Sequence, residues 1–150
     1  MRDDGFTAVE WSLGIGLIVL PLLMVVTTLA PWFERGSMGR VMATETARQI
    51  VLSDNWADGA ARGEAMAAQI AANHGFGSAD WNCGPDCLSM TVLSVDSAGT
   101  PALLLGRGYE VTVTVNVPLP AISIPFIGDV LSISWPTSHT ERVDDFRSFP

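Results

Sequence analysis

The sequence predicts an α+β protein with a long kinked N-terminal transmembrane helix, a second short helix and a small antiparallel β-sheet domain. Three observations predict it. Residues 11–33 carry no charged side chain, the stretch ARGEAMAAQIAANH is Ala-rich with helical spacing, and residues 109–117 alternate apolar and polar without a break.

As a helix rising about 1.5 Å per residue, residues 11–33 reach about 35 Å, enough to cross the hydrocarbon core of a bilayer. A secretory signal peptide fits less well. The run exceeds the usual apolar core of such peptides, the preceding RDDG is net acidic, and no A-x-A-like site follows. Pro21 is expected to kink the helix, while Pro31, Gly36 and Gly39 mark a second weak region. Gly14 and Gly16 do not form a GxxxG pair.

Glu10 stands at the mouth of this run. An acid at the centre of a membrane helix is unfavourable by about 2.5–3.5 kcal/mol, so its presence there points to a partner. If the chain were cut after Gly5, the ammonium of Phe6 would lie four positions before Glu10, one helical turn away on the same face. Without the cut, Glu10 reads as a carboxylate snorkelling to headgroup level.

Residues 40–52 continue as an amphipathic helix, with Ala43, Ala47, Ile50 and Val51 on one broad face and Arg40, Glu45, Arg48 and Gln49 elsewhere. SDNWADG ends it. Asp58 is the expected N-cap of the second helix, Met66 and Ile70 its core contact, and Gly75 its stop.

Cys83 and Cys87, in WNCGPDCL, flank a Gly-Pro-Asp turn that can bring them together, and an even cysteine count in an exported domain favours a disulfide over free thiols. Zinc lacks ligands, because only His74 and His139 could add to the pair, at irregular spacing. A disulfide places the domain outside the cytoplasm. Arginines lie on both sides of the apolar run, so loop charge does not set its orientation.

Beyond the cysteines the period becomes two. Leu88, Met90 and Val92 alternate with Ser89 and Thr91, and a turn at DSAGTP leads on; Tyr109, Val111, Val113, Val115 and Val117 then alternate with Glu110, Thr112, Thr114 and Asn116. A last strand sets Leu131, Ile133 and Trp135 against Ser132 and Ser134, with Pro136 expected at a bulge or an edge. The sheet is expected to be covered on one side, its Val111, Val113, Val115, Leu131 and Ile133 face packed on helix. Between the strands, PLPAISIPFIGD reads either as a loop folded onto the core or as a subunit-contact patch of Ile122, Ile124, Phe126 and Ile127.

Sixteen acids face eight basic residues, all arginine, for a net charge of −8, and no basic stripe suggests nucleic acid as a partner. There is no GxSxG, HExxH or P-loop, so the sequence predicts neither catalysis nor a cofactor nor a metal. GRG at residues 106–108 reads as a turn, His74 as a helix C-cap, and His139 as part of a polar strand face. Of the five tryptophans, Trp11 and Trp32 suit a membrane-interface belt and Trp56, Trp81 and Trp135 a core or its rim.

GFTAVEW resembles the processing site of type IV pilin-like prepilins, where a peptidase cuts after Gly and Glu stands fifth in the mature chain; Gly5, Phe6 and Glu10 match that spacing. AVEWSLGIGLIVLPLL, TARQIVL and the C-terminal VTVTVNVPLPAISIPFIGDVLSISWPTSHTERVDDF look like the TadE-like pilus-assembly pseudopilins of the tight-adherence branch. The resemblance implies a leader at 1–5, a transmembrane and assembly helix at 6–33 and an extracytoplasmic pseudopilin domain at 34–150. It implies a minor pilin or pseudopilin in the bacterial cytoplasmic (inner) membrane or pilus, partnered by other pilin subunits, the prepilin peptidase and the assembly platform. In such a bundle Glu10 of one subunit meets the Phe6 ammonium of the next and sets the register. The alternative is a single-span, membrane-anchored extracytoplasmic binding module that is not processed as a pilin.

Overall fold

The computed structural model describes residues 4–84, 86–124 and 128–147, without the side chains of residues 4–8, 28, 120–124 and 128–132. The elements follow one another as α1 (Asp4–Val51), α2 (Trp56–Asn73), a 3-10 turn (Ser78–Asp80), β1 (Ser89–Val95), β2 (Glu110–Ile124) and β3 (Gly128–Arg142). The α+β class expected from the sequence is what the chain adopts.

α1 is one helix of 48 residues, running without interruption through Pro21 and Pro31. Its two halves have different surroundings. Every described side chain from residue 9 to residue 30 is exposed, whereas Met38, Met42, Ala43, Thr46, Ala47, Ile50 and Val51 are buried. The amphipathic face expected at residues 43–51 is therefore the helical half of the core. Gly39 is a contact rather than a weak point, since a Cβ there would lie 2.8 Å from Val117 Cγ2.

The expected Asp58 cap is corrected. Asn55 is the N-cap of α2: its side-chain oxygen accepts the Asp58 backbone N–H at 2.9 Å, and its amide donates to the Asp58 carboxylate at 2.8 Å. Of the expected core contact of α2, Ile70 packs half-buried against the core and Met66 is half-buried, while the fully buried stripe is Gly59, Gly63, Ala67 and Ala71. Small residues at this spacing let α2 approach α1 so closely that a Cβ on Gly59 would sit 3.0 Å from the Ile50 carbonyl oxygen. His74 is the C-cap, and Gly75 follows with φ +84°, the left-handed stop the sequence suggested.

The three strands form an antiparallel meander in the order β1-β2-β3. Val111, Val113, Val115 and Val117 of β2 are buried against α1. The opposite face is polar, with Thr112 and Thr140 hydroxyls 2.8 Å apart and Asn116 donating to Ser89 Oγ at 3.1 Å. The sheet is covered on one side, as the alternation implied. Ile133 departs from the expected core: it pairs with Leu119 and so shares the helix-facing side, yet it is 49% exposed. The Leu131 side chain lies outside the described residues. His139 is also corrected, because its pairing with Val113 puts it on the helix-facing side, where its ring nitrogen lies 3.0 Å from Glu141.

The expectation of a loop in PLPAISIPFIGD is overturned over residues 118–124. β2 continues through Pro118 and Pro120 to Ile124, paired to β3 as far as Gly128. β1 covers β2 only as far as Asn116, so beyond that residue the outer edge of β2 has no strand beside it. Proline lacks a donor, and a free edge is where a strand tolerates it. The Pro118 carbonyl on that edge accepts a hydrogen bond from Arg35 Nη1 at 2.9 Å. Pro136 lies within β3, an edge strand, and the register irregularities fall at Pro120, Ile122 and Ser123 instead.

Candidate functional site

The exposed half of α1 is the feature the domain does not explain. One helix here is long and apolar enough to cross a membrane, with a mean hydropathy of 2.5 over its apolar window and none of that window buried. Two of its described hydroxyls bond within the helix. Ser12 Oγ donates to the Val9 carbonyl and Thr27 Oγ1 lies 3.0 Å from both the Leu23 and Met24 carbonyls, the arrangement hydroxyls adopt where no water competes.

Glu10 is exposed at the start of this run and lines a shallow hollow with Trp11, Gly14, Ile15 and Ile18. Glu10, Gly14 and Ile18 follow one another by four residues, and Gly14 has nothing within 4 Å of where its Cβ would be. The face that carries the acid is therefore notched. The missing GxxxG had hidden this, since the partner of Gly14 is the acid itself rather than a second glycine. The backbone of Gly5 and Phe6 is in the first turns of α1, and their side chains lie outside the described residues.

Above the run sits a polar collar that the sequence did not reveal. Glu34 Oε1 is 3.6 Å from His74 Nδ1, and the Arg35 guanidinium lies 5.5 Å from the centre of the Phe76 ring while it also holds the Pro118 carbonyl. Two adjacent residues thus tie α1 to the end of α2 and to β2. At the other end of the domain Arg147 bonds the Val51 carbonyl and reaches the Leu52 carbonyl at 2.7 Å, satisfying acceptors that the end of α1 leaves open.

Cys83 and Cys87 come together, their sulfurs at disulfide distance and their Cα atoms 5.5 Å apart. The chain on either side of them is joined by two backbone bonds, the Asn82 N–H donating to the Leu88 carbonyl and the Leu88 N–H to the Asp80 carbonyl, both 2.8 Å. Of the expected contact patch, Ile122 and Ile124 close β2 with side chains outside the described residues, and Phe126 and Ile127 lie outside them altogether. Among the described residues no group of His, Cys, Asp or Glu is arranged to hold a metal ion. No protein-family model, curated protein or solved structure matches the chain.

Proposed function

We propose that this chain is a minor pilin or pseudopilin, a structural subunit for assembly of a tight-adherence-type, type IV-like pilus. α1 is its anchor in the bacterial cytoplasmic membrane and its packing element in a filament, and the domain from residue 34 onward lies outside the cytoplasm. One observation carries the reading: the apolar half of α1 is continuous with the core helix of the domain, and its described side chains from residue 9 to residue 30 are all exposed. Such a surface is stable in lipid or against like helices, and a subunit that passes from one to the other needs both.

Glu10 fits this passage. A carboxylate at the membrane boundary is neutralised when a neighbour offers a cation in register, and cleavage after Gly5 supplies one at Phe6. The Gly14 notch beside Glu10 leaves room for a neighbouring helix to come close. Intact mass of the protein extracted from membranes of its native host tests the processing. Loss of residues 1–5 is expected, and Gly5→Val should leave the full-length precursor. Glu10→Gln should still be cleaved but enter pilin complexes poorly, because the amide keeps the shape and removes the charge.

A second reading, a membrane-anchored binding module left unprocessed, is favoured by a groove between α2 and β1 lined by Glu64, Phe76, Trp81 and Met90. An intact MRDDG terminus on protein from that host would select it.

A further inference from the structure

The β2–β3 hairpin runs down α1 toward the apolar half. Just past β3, Arg147 meets Val51 at the end of the helix; in the middle, Gly39 lies against Val117 and Thr137; lower still, Arg35 holds Pro118. Beside these contacts, from the Gly39 level down past Arg35, lies a groove of about 490 Å³ between α1 and the hairpin, lined by Leu29, Trp32, Phe33, Gly36, Ser37, Arg40, Leu119, Trp135 and Thr137.

We propose that this groove seats a phospholipid of the outer leaflet of the membrane that α1 crosses, with an acyl chain along Leu29, Phe33 and Trp135 and the phosphate at Arg40. The inference rests on α1 spanning the membrane. Five features support it. The groove is graded along the helix axis: its apolar end is continuous with the exposed run, and its other end carries Ser37, Thr137 and Arg40. Arg40 stands about 10 Å of helix rise beyond Phe33, which is headgroup height if residues 11–33 fill the hydrocarbon, and an arginine at that height reaches a phosphate.

The apolar walls are otherwise left in water, Phe33 75% and Trp135 55% exposed. Two tryptophans from different elements, Trp32 and Trp135, meet here, and indoles favour the membrane–water boundary. Finally, residues 118–135 hold one charged side chain, Asp129, and the free edge of the strand carries prolines at 118 and 120, which have no N–H to strand without a partner in lipid.

The test uses the full chain in phosphatidylethanolamine and phosphatidylglycerol vesicles with brominated acyl chains, in three single-tryptophan forms that keep Trp11, Trp56 or Trp135 and have Phe at the other positions. Trp11 and Trp135 should lose most of their fluorescence, while Trp56, at the start of α2, keeps its own. If Trp135 behaves as Trp56 does while Trp11 is quenched, the groove is overturned and the span stands. If Trp11 is not quenched, the span itself fails and takes the groove with it. Protection of Trp135 from both bromolipid and aqueous acrylamide means that a second copy covers it, which overturns the lipid. Native mass spectrometry of the detergent-extracted protein gives an independent measure on the unaltered tryptophans. Arg40 is exposed, so Arg40→Glu should fold normally and retain several-fold less phosphatidylglycerol; equal retention overturns the assignment.

Discussion

α1 carries two methionine-bearing segments with opposite fates. Around Met42 the helix is the centre of the domain, covered by α2 on one side and by the valines of β2 on the other. Around Met24, on the same unbroken helix, the described side chains are exposed, Met24 itself by 52%. The lower segment is the more apolar of the two, so hydrophobicity alone did not decide what is buried. The upper segment is buried because it offers small residues, Gly39, Ala43 and Ala47, that let other elements come close. The lower one offers bulk and leaves its described side chains exposed, the surface on which the proposed membrane anchor rests.

The largest expected effect tests that contrast directly. Met42→Ala should destabilise the detergent-solubilised chain by about 2–5 kcal/mol in thermal or denaturant unfolding, whereas Met24→Ala should shift it by less than about 0.5 kcal/mol. Similar losses at both would mean that the lower segment packs within the chain. Next, Gly59→Ala should cost about 1–3 kcal/mol, because the added methyl meets Ile50 backbone atoms that cannot turn aside. Gly16→Ala, in open surroundings, should leave unfolding unchanged or raise the helix content, since alanine is the better helix former by about 1 kcal/mol.

Arg35→Gln comes third. It removes the bond to the Pro118 carbonyl and the contact with Phe76, and should lower stability by about 1 kcal/mol, with faster amide exchange confined to residues near Pro118 and Phe76. Exchange rising evenly through the whole domain would mean that the collar does not hold the hairpin in particular. The smallest effect sharpens the upper half: Asn55→Ala should cost about 1 kcal/mol and Asp58→Ala less, because Asn55 is the residue that accepts the open N–H of the helix.

Periodicity made much of this architecture legible. The alternation from Tyr109 to Val117 reads as a strand with one buried face, and Ala43, Ala47 and Ile50 as one face of a helix, because a single residue-by-residue pattern carries each signal. The extension of β2 was hidden for a physical reason. Proline marks a loop unless the strand edge is free, and that edge is free only because β1 stops opposite Asn116. Asn55 and Asp58 are both good caps by residue type, and residue type alone does not separate them; the helix begins at Trp56, which packs against the core, and this makes Asn55 the cap. On α2, bulk pointed to Ile70, which does pack against the core, but hid the fully buried stripe, where closeness of approach selected Gly63 and Ala67. At the candidate site, Glu10 stood out as an acid beside an apolar run. The groove at Trp135 did not, since it joins residues about a hundred positions apart that only the descent of the hairpin brings together.

The unbroken helix also fixes how the molecule bears load. Tension on the apolar end enters the domain along the axis of α1, with no linker to stretch or swivel in between. β2 and β3 lie lengthwise on that axis, from the Arg35 contact with Pro118 to the Arg147 clasp on Val51, so drawing the helix out would slide it past the sheet and strain every one of those contacts at once. A pull applied across the axis would instead peel them apart one after another. The arrangement resists shear more than peeling, and the direction of that resistance is the direction in which the exposed apolar half of α1 points.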